Sequence, residues 1–354
     1  MITRLAITLL VLTPLNLNAR EEPYLSVRTG LRCSQCHVNR TGGGGRTDFG
    51  SVYGQTRLAI GQFGFQGRSL NDFLSVGANL RLRAEGTPQK STPRTEMRLR
   101  EANIQIEARV VPDVLAFYLD ETVGPGAAGT REAFGLVEGL PLDGYFKVGK
   151  FLLPYGLRLV DDSEFIRQST GFGYSTPDQG VEVGFEPSQL SVFVALTNGT
   201  QGADENNSGK QITATGAWIS SRFRIGASIS RNEGSGGRRD VVGGFSGFNV
   251  GRFTILGELD LIKDVPDQGP DLDQMVAYIE GNLLAVRGVN AKVTYGFLDP
   301  NRDIGENART RARFGVETFP IQFLEVSAFY TLIRDIPQVS DDLDRLSVEL
   351  HLYF

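Results

Sequence analysis

Both cysteines of the chain lie in one five-residue motif, Cys33-Ser34-Gln35-Cys36-His37, and one of only two histidines completes it. A C-x-x-C-H motif is typical of a covalent attachment site for haem c. On a short helical turn, residues i and i+3 share a face, so both thiols can add to the two vinyl groups of one porphyrin. His37 follows directly and can act as the proximal axial ligand of the iron. The motif therefore predicts one covalent haem c.

Two other uses of the cysteine pair, a zinc site and a disulfide, are alternatives to haem. A zinc site needs two more Cys or His ligands nearby, and the sequence offers none. A disulfide between Cys33 and Cys36 leaves His37 without a role.

The tetraglycine run at 42–45 lacks the Gly-Lys-Ser/Thr that completes a phosphate-binding loop. We interpret it as a loop in which backbone can approach the haem.

The N-terminus has the pattern of a secretory signal. Arg4 precedes a mostly apolar run at 5–17, and Ala19 ends a candidate cleavage site. The run is too short to span a membrane as a helix, and no later segment is long and apolar enough either. We expect residues 1–19 to be removed and the haem motif to reach the periplasm, where bacteria attach haem c.

From about residue 72 onward, apolar and polar residues alternate with a period of two. In the first such segment, Arg81 and Arg83 lie on the polar side, opposite the apolar set Leu74, Val76, Ala78, Leu80 and Leu82. Arginine facing a dry core would be costly, whereas in the wet lumen of a membrane barrel it is solvated. The net charge of −5 argues against a nucleic-acid partner.

The pattern predicts an all-β protein, an antiparallel transmembrane β-barrel of about sixteen strands with a small N-terminal haem c segment. A secreted β-sandwich is the alternative, because alternation alone does not prove a membrane. The terminal Phe354 is typical of outer-membrane barrels and favours the barrel. The predicted strands lie near 72–84, 95–110, 114–120, 131–140, 145–158, 179–185, 190–198, 211–219, 223–231, 239–250, 253–263, 274–286, 290–298, 309–318, 323–334 and 345–354.

Three regions follow from this division. Residues 1–19 form the signal peptide, residues 20–70 a haem-binding segment inside or at the mouth of the barrel, and residues 71–354 the barrel in the outer membrane. Tight turns are expected on the periplasmic side, where an even strand number also returns the C-terminus. Longer loops, such as 161–178 and 200–210, are expected to face outward.

A likeness to a known family lies in three stretches of the haem segment, 28–37 (RTGLRCSQCH), 47–50 (TDFG) and Tyr53. Together they resemble the haem segment of the fused monohaem cytochrome-porins, outer-membrane proteins that include iron oxidases. The resemblance implies one haem c joined to a barrel, and electron transfer across the outer membrane. Separately, residues 146–156 (FKVGKFLLPYG) resemble a strand of the phosphate- and polyphosphate-selective porins.

The iron of haem c usually has a second axial ligand, His or Met. His351 is a candidate because its parity in the last strand points it into the lumen, and Met97 is a weaker one. Met275 shares the parity of lipid-facing residues and is a poor candidate. A five-coordinate or water-ligated haem is the remaining option.

One haem cannot bridge an apolar band about 25 Å tall, so a periplasmic redox carrier is an expected partner, alongside outer-membrane lipid. Acidic outer loops are expected to concentrate an extracellular donor such as Fe²⁺, unless they are merely solvated. Arg302 is the only base that the sequence places among them. The acids are Asp264, Asp267, Asp271, Asp273, Asp299, Asp303, Glu306, Asp335, Asp341, Asp342 and Asp344.

Three functions fit the sequence. The leading hypothesis is a monohaem cytochrome-porin that moves electrons between an extracellular donor or acceptor and a periplasmic carrier, and could oxidise iron. The second is a solute-conducting porin whose haem segment is a plug or sensor, with a route lined by Arg81, Arg83, Arg311 and Arg313. The third treats the haem as a staple that folds a small plug.

Overall fold

Sixteen antiparallel strands form a closed barrel in which each strand pairs with the next and β16 pairs with β1. The computed structural model describes residues 22–64, 69–87, 94–205, 207–334 and 343–354, so the predicted signal peptide lies outside the described residues. The predicted fold class is confirmed. Of the helices in these ranges, none is long and apolar enough to cross a membrane.

The strands match the predicted ones closely, because alternation in the sequence fixes which segments can line a barrel wall. They are β1 (Leu74–Thr87), β2 (Arg94–Val111), β3 (Leu115–Gly124), β4 (Gly129–Leu140), β5 (Gly144–Phe151), β6 (Asp178–Phe185), β7 (Leu190–Thr197), β8 (Gln211–Ile219), β9 (Phe223–Gly234), β10 (Gly237–Val250), β11 (Phe253–Pro266), β12 (Leu272–Val286), β13 (Val289–Asp299), β14 (Arg309–Ile321), β15 (Leu324–Arg334) and β16 (Leu343–Tyr353).

The closing pair of strands shows the two faces of the wall. Leu80 of β1 lies opposite Leu352 of β16, and both are about half exposed on the outer surface. The next pair, Arg81 and His351, points inward and is buried. The outer face is therefore an apolar belt suited to lipid, and the inner face is polar.

The inner face is polar but buried, which an open water-filled bore would not produce. Asp120, Lys147 and Asp260, from strands around the wall, have no exposed surface. Two segments occupy the bore and cover these side chains. One is residues 22–64, which we call the plug, and the other is the connection between β5 and β6 at 152–177, which we call the bore loop.

The plug contains three short helices, α1 (Pro23–Thr29), α2 (Cys33–Cys36) and α3 (Asp48–Tyr53), and a π-helical turn at Gly54–Leu58. Helix α1 packs against the inner face of β9, β10 and β11. Its residues Tyr24, Leu25 and Val27 are almost fully buried there. The segment thus obtains from the barrel wall the apolar core that its own length cannot supply.

The bore loop corrects two expectations. Strand β5 ends at Phe151, whereas the sequence pattern suggested 158. The loop, expected to face outward at 161–178, instead enters the bore, where its helix α4 (Phe165–Thr170) packs against β11, β12 and β13. The physical reason is apolar burial, because the loop hides Leu157 and Ile166 from water.

Candidate functional site

The cysteine motif forms a single helical turn. In α2, His37 is the C-cap residue, and its amide donates to the carbonyl of Cys33 at 2.9 Å. Both thiols are free, and Cys36 and His37 are buried. Burial, with a smaller contribution from Cys33, raises the pKa of the Cys36 thiol to about 12 although Arg46 opposes the shift. The geometry brings together the three residues that the sequence singled out.

One cavity receives all three of these side chains. Its lining includes Cys33, Cys36 and His37 from the plug and Gly156 and Arg158 from the bore loop. The empty space among its lining atoms measures about 520 Å³, and part of it is open to solvent. The cavity therefore lies between the plug and the bore loop, inside the barrel.

The tetraglycine run closes a tight hairpin beside this cavity. The amide of Val38 donates to the carbonyl of Gly45 at 3.0 Å. Gly42 has φ +97°, and a Cβ on it would lie 3.3 Å from the Cβ of Cys33. Glycine is thus the residue that lets this backbone run against the thiol-bearing turn, as the loop interpretation requires.

The donor set fits a haem better than a bare ion. Within the described ranges, no group of three or more His, Cys, Asp or Glu residues could hold a metal ion. Two free thiols and one imidazole nevertheless open on one cavity, which is the arrangement that covalent haem c requires. A haem c bound there would be held by Cys33, Cys36 and His37, which remains a prediction.

A fully buried polar network anchors the plug to one side of the wall. The side-chain amide of Asn39 donates to Glu132 Oε1 at 2.6 Å, and its oxygen accepts from Lys147 Nζ at 3.0 Å. Lys147 also pairs with Glu182 at 2.6 Å, and neither side chain of that pair is exposed. Because unpaired charges are costly inside a protein, this network fixes the plug in one position.

Arg40 adds a second anchor on the same side. Its guanidinium pairs with Glu138 at 2.7 Å, with Glu186 at 3.0 Å and with Asp143 at 3.2 Å. Burial alone would lower the pKa of Arg40, but Glu186 and Glu138 outweigh it and raise that pKa. The pairing is therefore a charged one at every physiological pH.

The opposite wall holds the start of the plug. Lys292 of β13 pairs with Glu22 at 3.0 Å and with Glu317 at 2.9 Å. Arg28 of α1 donates to Thr254 Oγ1 at 3.1 Å and to Asn290 Oδ1 at 3.2 Å. The plug is thus tied to both sides of the barrel.

The arginines predicted to line a solute route do point into the bore, but carboxylates neutralise them. Arg81 pairs with Glu101 at 2.8 Å and with Glu349 at 3.2 Å, and Arg83 pairs with Glu349 at 2.8 Å. They do not form an uncompensated positive surface.

The other two arginines of the predicted route, Arg311 and Arg313, hold the bore loop. They pair with Asp161 at 3.0 Å and 3.1 Å. Burial would raise the pKa of Asp161, but Arg311, Arg313 and Arg83 outweigh it and hold that pKa well below its usual value. Asp161 is therefore a stable counter-charge.

Neither predicted distal ligand reaches the cavity. His351 is buried in the wall, with Nδ1 2.9 Å from Glu325 Oε2 and Nε2 3.0 Å from Asn79 Oδ1. Met97 is 77% exposed, because its register places it opposite Ala84 on the outward face. The structure places neither residue in the lining of this cavity.

The acidic rim is also less negative than expected, since bases from the strands pair with it. Asp264 lies 2.7 Å from Arg239, and Asp344 lies 2.7 Å from Arg334. Asp335, Asp341 and Asp342 fall outside the described residues. The expectation treated the loops alone and left out arginines at the strand ends.

Arg158 and Arg224 are among the cavity residues that sequence reasoning missed. Arg224 Nη1 lies 3.6 Å from Cys33 Sγ and 3.3 Å from Ser26 Oγ. The alternation of β9 puts Arg224 on the inward face, but only the fold shows that α2 packs beside it.

The barrel is similar to solved outer-membrane proteins. OmpT of Vibrio cholerae with loop L8 deleted aligns over 79% of this chain and 99% of its own, at 14% identity and a TM-score of 0.63. The anion-selective porin from Comamonas acidovorans covers the same shares at 9% identity and a TM-score of 0.63. The outer membrane channel DcaP of Acinetobacter baumannii aligns over 79% of this chain and 97% of its own, at 12% identity and a TM-score of 0.60.

No protein-family model and no curated protein matches the chain. At these identities, the likeness to porins shows the fold alone. The fold is that of the outer-membrane porin barrels, which agrees with the predicted location and with the general porin likeness. The resemblance to cytochrome-porins stays a prediction that rests on the haem motif.

Proposed function

We propose that this protein is a porin-type channel protein of the outer membrane whose bore is restricted by a haem-bearing plug. The observation that carries the proposal is the place of the plug, which lies inside a porin-type barrel and is bonded to both walls through Arg40 and Arg28. Solute passage then depends on the space left between the plug, the bore loop and the wall.

Different residues hold the plug and the bore loop within this bore. Lys147 and Arg40 hold the plug against β4 to β6, and Arg311 holds the bore loop through Asp161. Cys33 and Cys36 would hold haem c through thioether bonds, and the imidazole of His37 would bind its iron. When bound, that haem would supply one-electron redox chemistry to the plug.

Conductance of the full chain in planar bilayers tests the channel. We expect wild type to conduct in small steps, well below those of an open 16-stranded porin measured alongside it. Replacing the plug anchors by Asn39→Ala and Arg40→Ala should raise the unit conductance several-fold, because both side chains bond the plug to the wall. Arg222→Ala, in an exposed turn, is the matched control.

Two results would overturn the proposal. A wild-type conductance equal to that of the open porin would contradict a restricting plug. Heat-modifiable migration shows whether each protein is folded. If neither folded wild type nor the folded double variant conducts, the channel function is contradicted.

A second candidate function is electron transfer between an extracellular donor and a periplasmic carrier. The observation that favours it is a second cavity, of about 1,120 Å³ of empty space, that shares Thr29 and Leu31 with the cavity of the cysteine motif. Phe49 and Arg57 of the plug line this second cavity and are exposed. A periplasmic protein could therefore approach the haem site closely from this side.

Reduction of the ferric protein by Fe²⁺ tests this second function. The rate should fall as ionic strength rises if the acidic loops attract the cation, because the Debye length is about 10 Å at 0.1 M salt. If Fe²⁺ does not reduce protein that carries haem and conducts solutes, electron transfer is contradicted and only the channel function remains.

A further inference from the structure

The cavity of the cysteine motif offers one axial ligand and no second one. His37 is the only imidazole that lines it, and no methionine lines it within the described residues. The whole chain has two histidines and three methionines, so few side chains could serve as a second ligand. Met1 belongs to the predicted signal peptide.

None of the remaining candidates lines the cavity. His351 has oxygen partners at both ring nitrogens, at 2.9 Å and 3.0 Å, and belongs to β16 in the wall. Met97 is exposed on the outer face. Met275 lies opposite Leu261 and Asp299, next to the outer end of β12.

Three guanidinium groups line the cavity instead. Arg32 is already paired with Asp143 at 2.8 Å, which leaves Arg158 and Arg224. Arg158 comes from the bore loop and Arg224 from β9. Arg224 is 8% exposed, and the Nε atoms of both arginines are buried without a hydrogen-bond partner among the residues that the structure describes. A buried N–H group without a partner is costly, which points to an acceptor that binds there.

From these observations we infer that the iron position opposite His37 is open, and that it accepts a small exogenous anion with Arg158 and Arg224 as counter-charges. The inference rests on the haem of the proposed function and goes beyond it, because it makes the plug a ligand-binding site. The ligand class is a one- to three-atom anion of the kind represented by cyanide and azide. Guanidinium groups favour such anions by charge and by hydrogen bonds.

The test uses the full chain, purified in detergent with its haem and without added ligand. Absorption and electron paramagnetic resonance spectra of the ferric protein should show a high-spin haem, as expected when no strong second axial ligand is present. His351→Ala and Met97→Leu should leave the spin state unchanged. Azide should convert the spectrum to low spin with a saturable titration.

The arginine variants distinguish two roles for Arg158 and Arg224, which are binding an anion at the iron and binding the haem propionates. If the anion is the iron ligand, Arg158→Gln and Arg224→Gln should each weaken azide binding about tenfold, while carbon monoxide, a neutral ligand, binds the ferrous protein as in wild type. Arg222→Gln is the control. Unchanged azide affinity together with reduced haem retention would assign the arginines to the haem propionates and overturn their proposed role.

The remaining outcomes test whether the iron position opposite His37 is open. A low-spin wild type that does not bind azide would overturn the inference, and a change to high spin in His351→Ala would name His351 as the ligand. A negative pyridine haemochrome assay would instead overturn the haem of the proposed function.

Discussion

At the residue scale, the chemistry-bearing motif is local and was readable from the sequence, whereas its surroundings were not. Cys33, Cys36 and His37 are brought together by a single turn, so their spacing alone predicts a shared face. Arg158 and Arg224 reach the same cavity from segments more than a hundred residues away along the chain. No spacing rule in the sequence connects such residues, because only tertiary packing brings them together.

Covalent attachment of haem predicts a simple result for the cysteines. Replacing both by Cys33→Ala and Cys36→Ala should abolish a haem-stained band on denaturing gels, because no thioether bond can form. Ser34→Ala, in the same turn, should keep the band. Persistence of the band in the double variant would refute the assignment.

The buried pair of Lys147 and Glu182 predicts a large change in stability. Lys147→Met leaves the buried Glu182 carboxylate without its cationic partner, so the free energy of unfolding should fall by about 3–5 kcal/mol. Urea unfolding followed by fluorescence of the only tryptophan, Trp218, measures it. The exposed pair of Lys210 and Glu205 is the control, and Lys210→Met should cost less than about 1 kcal/mol. Equal effects would contradict the buried network.

At the element scale, alternation predicted the strands within a few residues but missed where the chain leaves the sheet. Strand β5 runs into apolar residues that read equally well as strand or as buried loop. Tyr155 continues this run, yet it stacks on Phe172 with ring centroids 4.2 Å apart inside the bore. Period-two patterning cannot distinguish an apolar side chain that faces lipid from one that faces a filled bore.

The bore loop should respond to acid through Asp161. Because the folded-state pKa lies below the usual value of 3.8, the ion pairs stabilise the loop at all pH values above 3.8. That contribution is lost as the pH falls through the depressed pKa. Hydrogen exchange of residues 152–177, corrected for intrinsic rates, should therefore rise in strong acid, below about pH 3.8, as this contribution is lost.

Asp161→Asn removes the charge at every pH, so exchange in the loop should already be fast at pH 7 and should change little on acidification. Asp204→Asn, in an exposed loop, is the control. Loop protection in Asp161→Asn equal to that of wild type at pH 7 would contradict the anchoring role of the Asp161 ion pairs.

At the scale of the whole molecule, the sequence predicted the architecture because each strand carries the same repeated signal and the terminal Phe354 adds a second one. It left open whether residues 20–70 lie inside the bore or at its mouth, and it expected the bore loop to face outward. Polar inward residues are expected in an open channel and in a plugged one. The difference lies in burial, as at Asp120 and Asp260, and burial depends on the placement of the plug.

The central claim is a covalent haem on a plug inside an outer-membrane barrel, and the intact mass of the protein purified from outer membranes tests it most directly. The mass should equal the chain from the cleavage site to Phe354 plus one haem, in a fraction that shows heat-modifiable migration. The mass of the polypeptide alone, or of the polypeptide less two hydrogens for a Cys33–Cys36 disulfide, would contradict the account.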